Sequence, residues 1–113
     1  MSTQHSLLAS YLLKLESALQ QHELWSTDSP SALQLSSLQP FCVDTLTIEQ
    51  WLQYILIPRF SALVATGADL PIIPADNGMA GMADIAFNQR SIRANEVVDL
   101  IRAIDSLLEA PWP

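Results

Sequence analysis

The sequence predicts an all-α fold: a single domain over residues 1–113, an up-and-down bundle of about four helices with a proline-kinked helix at its centre. Three observations predict it. Apolar residues recur at three- and four-residue intervals in four separate stretches, the period of an amphipathic α-helix. Thr47-Ile48-Glu49-Gln50 reads as a capping box, with the Thr47 hydroxyl taking the N–H of Gln50 and the Gln50 side chain returning to the N–H of Thr47. No stretch alternates apolar and polar residues as a half-buried strand does.

The first helix is expected over about Thr3 to His22, with Leu8, Tyr11, Leu12, Leu15, Ala18 and Leu19 as its buried stripe. Leu24 and Trp25 then fold onto the core. Residues 26–43 are rich in Ser, Pro, Asp and Gln and are longer than a minimal helix connection. Leu33, Leu35, Leu38 and Phe41 predict that this crossing segment is packed. A helical turn is expected near Ser31 to Leu35, with Pro30 in its first turn.

The mid-chain helix starts at Thr47. Ile48, Trp51, Leu52, Ile55 and Leu56 form its apolar face, while Gln50 and Gln53 fall on the other side. Pro58 has no N–H for the carbonyl of Tyr54 and crowds it. It also biases Ile57 away from helical geometry. Because Phe60, Leu63 and Val64 continue the apolar pattern, the reading is one kinked helix ending at Gly67. Ile72 and Ile73 are expected to anchor the following loop. A third helix, opened by Pro74, carries Met79, Met82, Ala83, Ala86 and Phe87, and Gly78 and Gly81 predict close approach of a neighbour. Ser91 is the expected N-cap of a last helix running to Glu109, buried through Val97, Val98, Leu100, Ile101, Ile104, Leu107 and Leu108. Asp99 and Arg102 form an i,i+3 pair on its solvated side. Trp112, in the tail, caps a core edge or stays free.

Gln39-Pro40-Phe41, Asp44-Thr45, Trp51-Leu52-Gln53 and Ile57-Pro58-Arg59 give this central stretch its character, and on these residues the chain resembles the YqcC-like family of small bacterial proteins of unassigned function. The resemblance extends through Leu24-Trp25 and the apolar pattern of the last helix. It implies a partner: genes of that family often lie beside a tRNA pseudouridine synthase, so an accessory role to that enzyme is expected.

Charge narrows the classes of partner. Lys plus Arg number 5 against 12 Asp plus Glu, a formal charge of −7. Such a surface repels phosphates, which disfavours direct nucleic-acid or anionic-membrane binding and favours a basic protein. No apolar run reaches the ~20 residues that span a bilayer, and the start MSTQHSLLAS lacks the basic region of a signal peptide. Cytoplasmic residence is expected. The pattern specifies no oligomeric state.

Catalytic constellations are not legible. His5 and His22 are far apart, the three glycines form no phosphate loop, and Cys42 has no evident base, so no metal, cofactor or catalytic residue is predicted. Cys42 reads as a small buried hydrophobe, and Arg90 and Arg93 as solvated helix-end residues. Asp44 and Thr45 are expected to hydrogen-bond the backbone entering the mid-chain helix. Projected at about 100° per residue, Arg59 falls beside Trp51 and Ile55. The first reading is a stem packed on the core with its guanidinium in water, and the next is a cross-bundle pair with Asp84 or Asp105 as candidates. The expected function is a non-catalytic protein-interaction module. The alternative is a small-ligand binder with a pocket at the Pro58 kink, and Trp51, Tyr54 and Arg59 are the candidate partner- or ligand-binding residues for either reading.

Overall fold

A computed structural model describes residues 3–39, 42–72 and 78–109. Expectations for Phe41, Ile73, Pro74 and Trp112 fall outside these residues. The first helix, α1 (Thr3–Gln21), buries Leu8, Leu12, Leu15, Ala18 and Leu19. A single turn follows, α2 (Ala32–Leu35). The mid-chain rod is α3 (Ile48–Trp51), a π-helical turn (Leu52–Leu56) and α4 (Ile57–Thr66) in unbroken succession. Last come α5 (Met79–Gln89) and α6 (Asn95–Leu108).

Hydrogen bonds and ion pairs fix how the long elements run. The start of α1 meets the end of α6, where the Gln4 amide donates to the Leu107 carbonyl at 3.1 Å. It also meets the end of α4, where His5 Nε2 lies 2.7 Å from the Ala68 carbonyl. Glu49, near the start of the rod, reaches Arg90 at the end of α5. The start of α5 is held by Asp105 near the end of α6. Each neighbouring pair is therefore antiparallel, and the bundle is up-and-down as expected. The rod forms one side of this ring, packing on α1 and α5, and α6 closes the opposite side between the same two helices. It is thus a wall of the bundle, not the post at its axis.

The mid-chain irregularity lies just before Pro58 and takes the form of the π turn. Ile57 donates to the Leu52 carbonyl, five residues back, and Pro58 then occupies the first turn of α4, where no N–H is needed. Ile57 itself is helical, with φ −61° and ψ −49°, contrary to the bias expected before proline, because the helix on both sides overrides that local preference. The wider turn also explains the core. Ile48, Leu52, Leu56, Phe60 and Val64 are all buried, at strict four-residue spacing. On a regular α-helix such a row drifts about 40° per step. A turn that takes in an extra residue reverses part of that drift and keeps the row facing inward.

Helix ends are closed by local chemistry. The Thr47 capping box is present, with Gln50 N–H to Thr47 Oγ1 at 3.2 Å and Thr47 N–H to Gln50 Oε1 at 2.9 Å. A second box, Ser31 with Gln34, starts α2, so Pro30 precedes the cap instead of entering the helix. Helices α1, α4 and α5 all end with a left-handed residue and a return bond, Leu24 N–H to Leu19 O, Ala68 N–H to Leu63 O, and Ile92 N–H to Phe87 O. The left-handed residues are Glu23, Gly67 and Ser91. Ser91 therefore terminates α5, and α6 begins later, after Ala94.

Three packing expectations are corrected. Leu33, Leu35 and Leu38 are exposed, because the crossing segment is held by polar bonds instead: Thr45 Oγ1 donates to the Gln34 carbonyl at 2.7 Å and Ser37 donates to the Asp44 carboxylate. Asp44 and Thr45 thus serve that segment more than the helix entrance. Ile72 is likewise exposed, so it anchors nothing. Gly81 faces open space: a methyl group in place of its α-hydrogen would have nothing within 4 Å, so no neighbour approaches there.

Candidate functional site

Trp51, Tyr54 and Arg59 are presented by three successive parts of the rod, and neither groove described below includes any of them in its lining. Trp51 ends α3, half-buried against the core. Tyr54 lies in the π turn, and its hydroxyl donates to the Ser26 carbonyl at 3.1 Å. Beside it Gln53, expected to face solvent, is buried. Its amide brackets the same residue, accepting from Ser26 N–H at 2.7 Å and donating to Ser26 O at 2.8 Å. The π turn thus fastens the chain leaving α1. Arg59 is exposed on α4, and no carboxylate pairs with it among the described residues. Its expected partners are committed elsewhere or turned away. Asp105 accepts the N–H groups of Met79 and Ala80 at 2.9 and 2.8 Å, capping α5 from α6, and Asp84 is exposed.

The described residues line two surface grooves that bear on function. The larger, of about 340 Å³, lies between α1 and α4. Leu12 and Val64 floor it, small residues Ala9, Ser61 and Ala65 leave its space unfilled, and Leu13 and Ile57 stand at its edges. Glu16 is its one charged lining residue. The groove starts at Ile57, next to Pro58, so an opening exists where a kink pocket was expected, but it faces α1 and its lining omits Trp51, Tyr54 and Arg59.

The second groove, about 240 Å³, lies where Val43, Leu46 and Ile48 meet Met82 and Ala86 of α5. Arg90 borders it, and is not simply solvated. Its guanidinium grips Glu49 with two bonds, Nη1 to Oε1 at 2.6 Å and Nη2 to Oε2 at 2.9 Å. Burial pushes the Glu49 carboxyl up, but the Arg90 hydrogen bonds, its own N–H, the Thr47 hydroxyl and the Arg90 charge together hold it below the ordinary carboxylate range. The same pairing raises Arg90. Among the described residues, no three His, Cys, Asp or Glu side chains are grouped to hold a metal ion. Nor is any helix among them long and apolar enough to cross a membrane.

The family model named DUF446, with the description tRNA pseudouridine synthase C, matches residues 7–107. The chain belongs to the DUF446 family. The DUF446 fold seen here is similar to the solution NMR structure of YqcC from E. coli, with a TM-score of 0.80 and 29% identity, covering 99% of this chain and 95% of that one. A Haemophilus influenzae relative named "Uncharacterized protein" is 43% identical over 61 residues, 54% of this chain and 58% of that protein. The chain thus spans little more than half of that relative. A Pectobacterium carotovorum protein named tRNA pseudouridine synthase C is 35% identical over 60 residues, 53% of this chain but 16% of that protein.

Sequence reasoning missed the Glu49–Arg90 pair, the Gln53 clamp and the α1–α4 groove of this DUF446 chain. For the groove a signal exists: Ala9, Ser61 and Ala65 are small residues on the flanks of otherwise well-filled helices. For Glu49 the signal is its place one turn before Gln53, on the same side of the rod, and both are buried.

Proposed function

We propose that this DUF446 protein is a non-catalytic helical interaction module, accessory to a tRNA pseudouridine synthase. One observation carries the reading: the Pectobacterium tRNA pseudouridine synthase C contains a stretch that resembles 53% of this chain and makes up 16% of its own length. A sequence similar to about half of this chain, recurring as a small part of a larger protein, suits a module that attaches to something else. The charge of −7 supports a protein contact over a direct tRNA contact, since tRNA phosphates are repelled by an acidic surface. The apolar α1–α4 groove supplies surface for such a contact. The module works in the cytoplasm, without a cofactor, alongside its enzyme.

The test is co-purification of the chain with tRNA pseudouridine synthase C from cells, followed by measurement of pseudouridine in tRNA with and without the chain. The two proteins should associate, and the extent or rate of modification should change. Separate elution together with identical modification would end this reading.

A further inference from the structure

We propose that the groove between α1 and α4 receives one amphipathic, cationic helix of the partner protein, and that Glu16 meets that helix's Lys or Arg. The inference rests on the accessory reading and says where on the surface the enzyme is held.

Geometry selects a helix. On α1, Ala9, Leu12, Leu13 and Glu16 recur at intervals of three, one and three residues; on α4, Ile57, Ser61, Val64 and Ala65 recur at four, three and one. Each wall is thus about two turns of one helix face, roughly 10–12 Å long at 1.5 Å per residue. That is the length over which a docked helix presents side chains at i, i+3 or i+4 and i+7. Leu13 stands 70% exposed at the rim, an apolar side chain left largely uncovered. The volume of about 340 Å³ takes the few apolar side chains that such a face inserts.

Charge selects the sign of the partner. Glu16 is half-buried in an otherwise apolar lining, and it has neither ion-pair nor hydrogen-bond partner among the described residues. A carboxylate with part of its water removed gains from an incoming cation. The chain offers none of its own nearby in sequence beyond Lys14: no Lys or Arg occurs from Leu15 to Pro58. The second groove lacks this asymmetry, because Arg90 there is already neutralised by Glu49.

The experiment titrates purified tRNA pseudouridine synthase C with the full chain and with Leu13→Asp, Glu16→Lys and Ala65→Trp. Leu13 and Ala65 are exposed, so both variants should keep the wild-type melting curve, and Ala65→Trp blocks the groove by addition alone. Leu38→Asp, on the crossing segment, is the control. Each groove variant should weaken binding at least tenfold, Leu38→Asp less than twofold, and Glu16→Lys should also lower the dependence of the association rate on salt. Undiminished binding by the groove variants overturns the groove assignment and leaves the accessory reading standing. Failure of the wild-type chain to bind overturns both.

Discussion

Replacing Arg90 by Ala isolates the pair that joins the rod to α5. The Glu49 side chain is 9% exposed and the Arg90 side chain 43% exposed. Arg90→Ala leaves a nearly buried carboxylate without its counter-ion and removes two charge-assisted bonds. Charged hydrogen bonds contribute about 1.5–3 kcal/mol, and breaking a fully buried pair costs about 3–5 kcal/mol. Because the guanidinium is part-solvated, screening brings the expected loss down to about 2 kcal/mol. Over 113 residues, at about 2.1 cal/mol/K per residue, that lowers Tm by about 8 °C. The pH dependence has a definite sign. The Glu49 carboxyl is lowered in the folded state, so its contribution is present above the ordinary carboxylate pKa and is lost as pH falls through the folded value. The gap between wild type and Arg90→Ala, measured by urea unfolding, should therefore be largest near pH 7 and narrow steadily below about pH 4.5. A variant within 0.5 kcal/mol of wild type at pH 7 would refute the pairing argument, as would a gap that stays constant down to pH 3 (roughly the resolution of such measurements).

Further perturbations test the other joints. Gly81→Ala places a methyl in open space on an exposed helix face and should stabilise by about 0.5–1 kcal/mol in thermal melts. Asp105→Ala removes the acceptor of two N–H groups at the start of α5 and should cost about 1–2 kcal/mol, with faster hydrogen exchange at Met79 and Ala80. Gln53→Ala strands the Ser26 N–H, leaves the Ser26 carbonyl to the Tyr54 hydroxyl alone and should cost about 1–2 kcal/mol, and nearby tryptophan emission from Trp25 should shift as the segment loosens. Glu23→Gly and Ser91→Gly relieve left-handed conformations at φ 60° and 57° and should each leave stability unchanged or raise it by up to about 1 kcal/mol in urea titrations.

Much of the fold was legible because periodicity reports burial directly. The stripe of α1 and the face of α6 are buried nearly as their spacing implies, and Thr47 caps the rod with the bonds that its four-residue signature specifies. What was illegible involves residues that act across the bundle. Gln53 looks solvent-facing on a regular helix wheel, and it is buried within the change of pitch at Leu52–Leu56, while Glu49, in α3 ahead of that turn, is buried against Arg90 from another helix. Asp105 lies on an apolar face for a reason that its own helix does not contain, the bare start of α5 after Gly78. Ser91 carries a capping side chain but sits in a left-handed turn, so its backbone role displaced its side-chain role. The candidate site was the least legible part. Trp51, Tyr54 and Arg59 are distinctive by residue type, whereas a groove is made by what is small or missing, and Ala9, Ser61 and Ala65 attract no notice in a sequence.

The π turn also bears on how this chain tolerates changes in length. A rod that already carries a surplus residue has a defined spot at which to give it up. Excising one residue between Leu52 and Leu56 would let the ladder reclose at ordinary pitch, while the segments before and after keep their faces toward α5 and α1. The same excision within α1 or α6 would swing half of the helix by about 100° and strip its stripe from the interior. Among homologues, single-residue gaps should therefore gather at this turn, and Gln53 and Tyr54 should vanish or persist together with the loop they fasten.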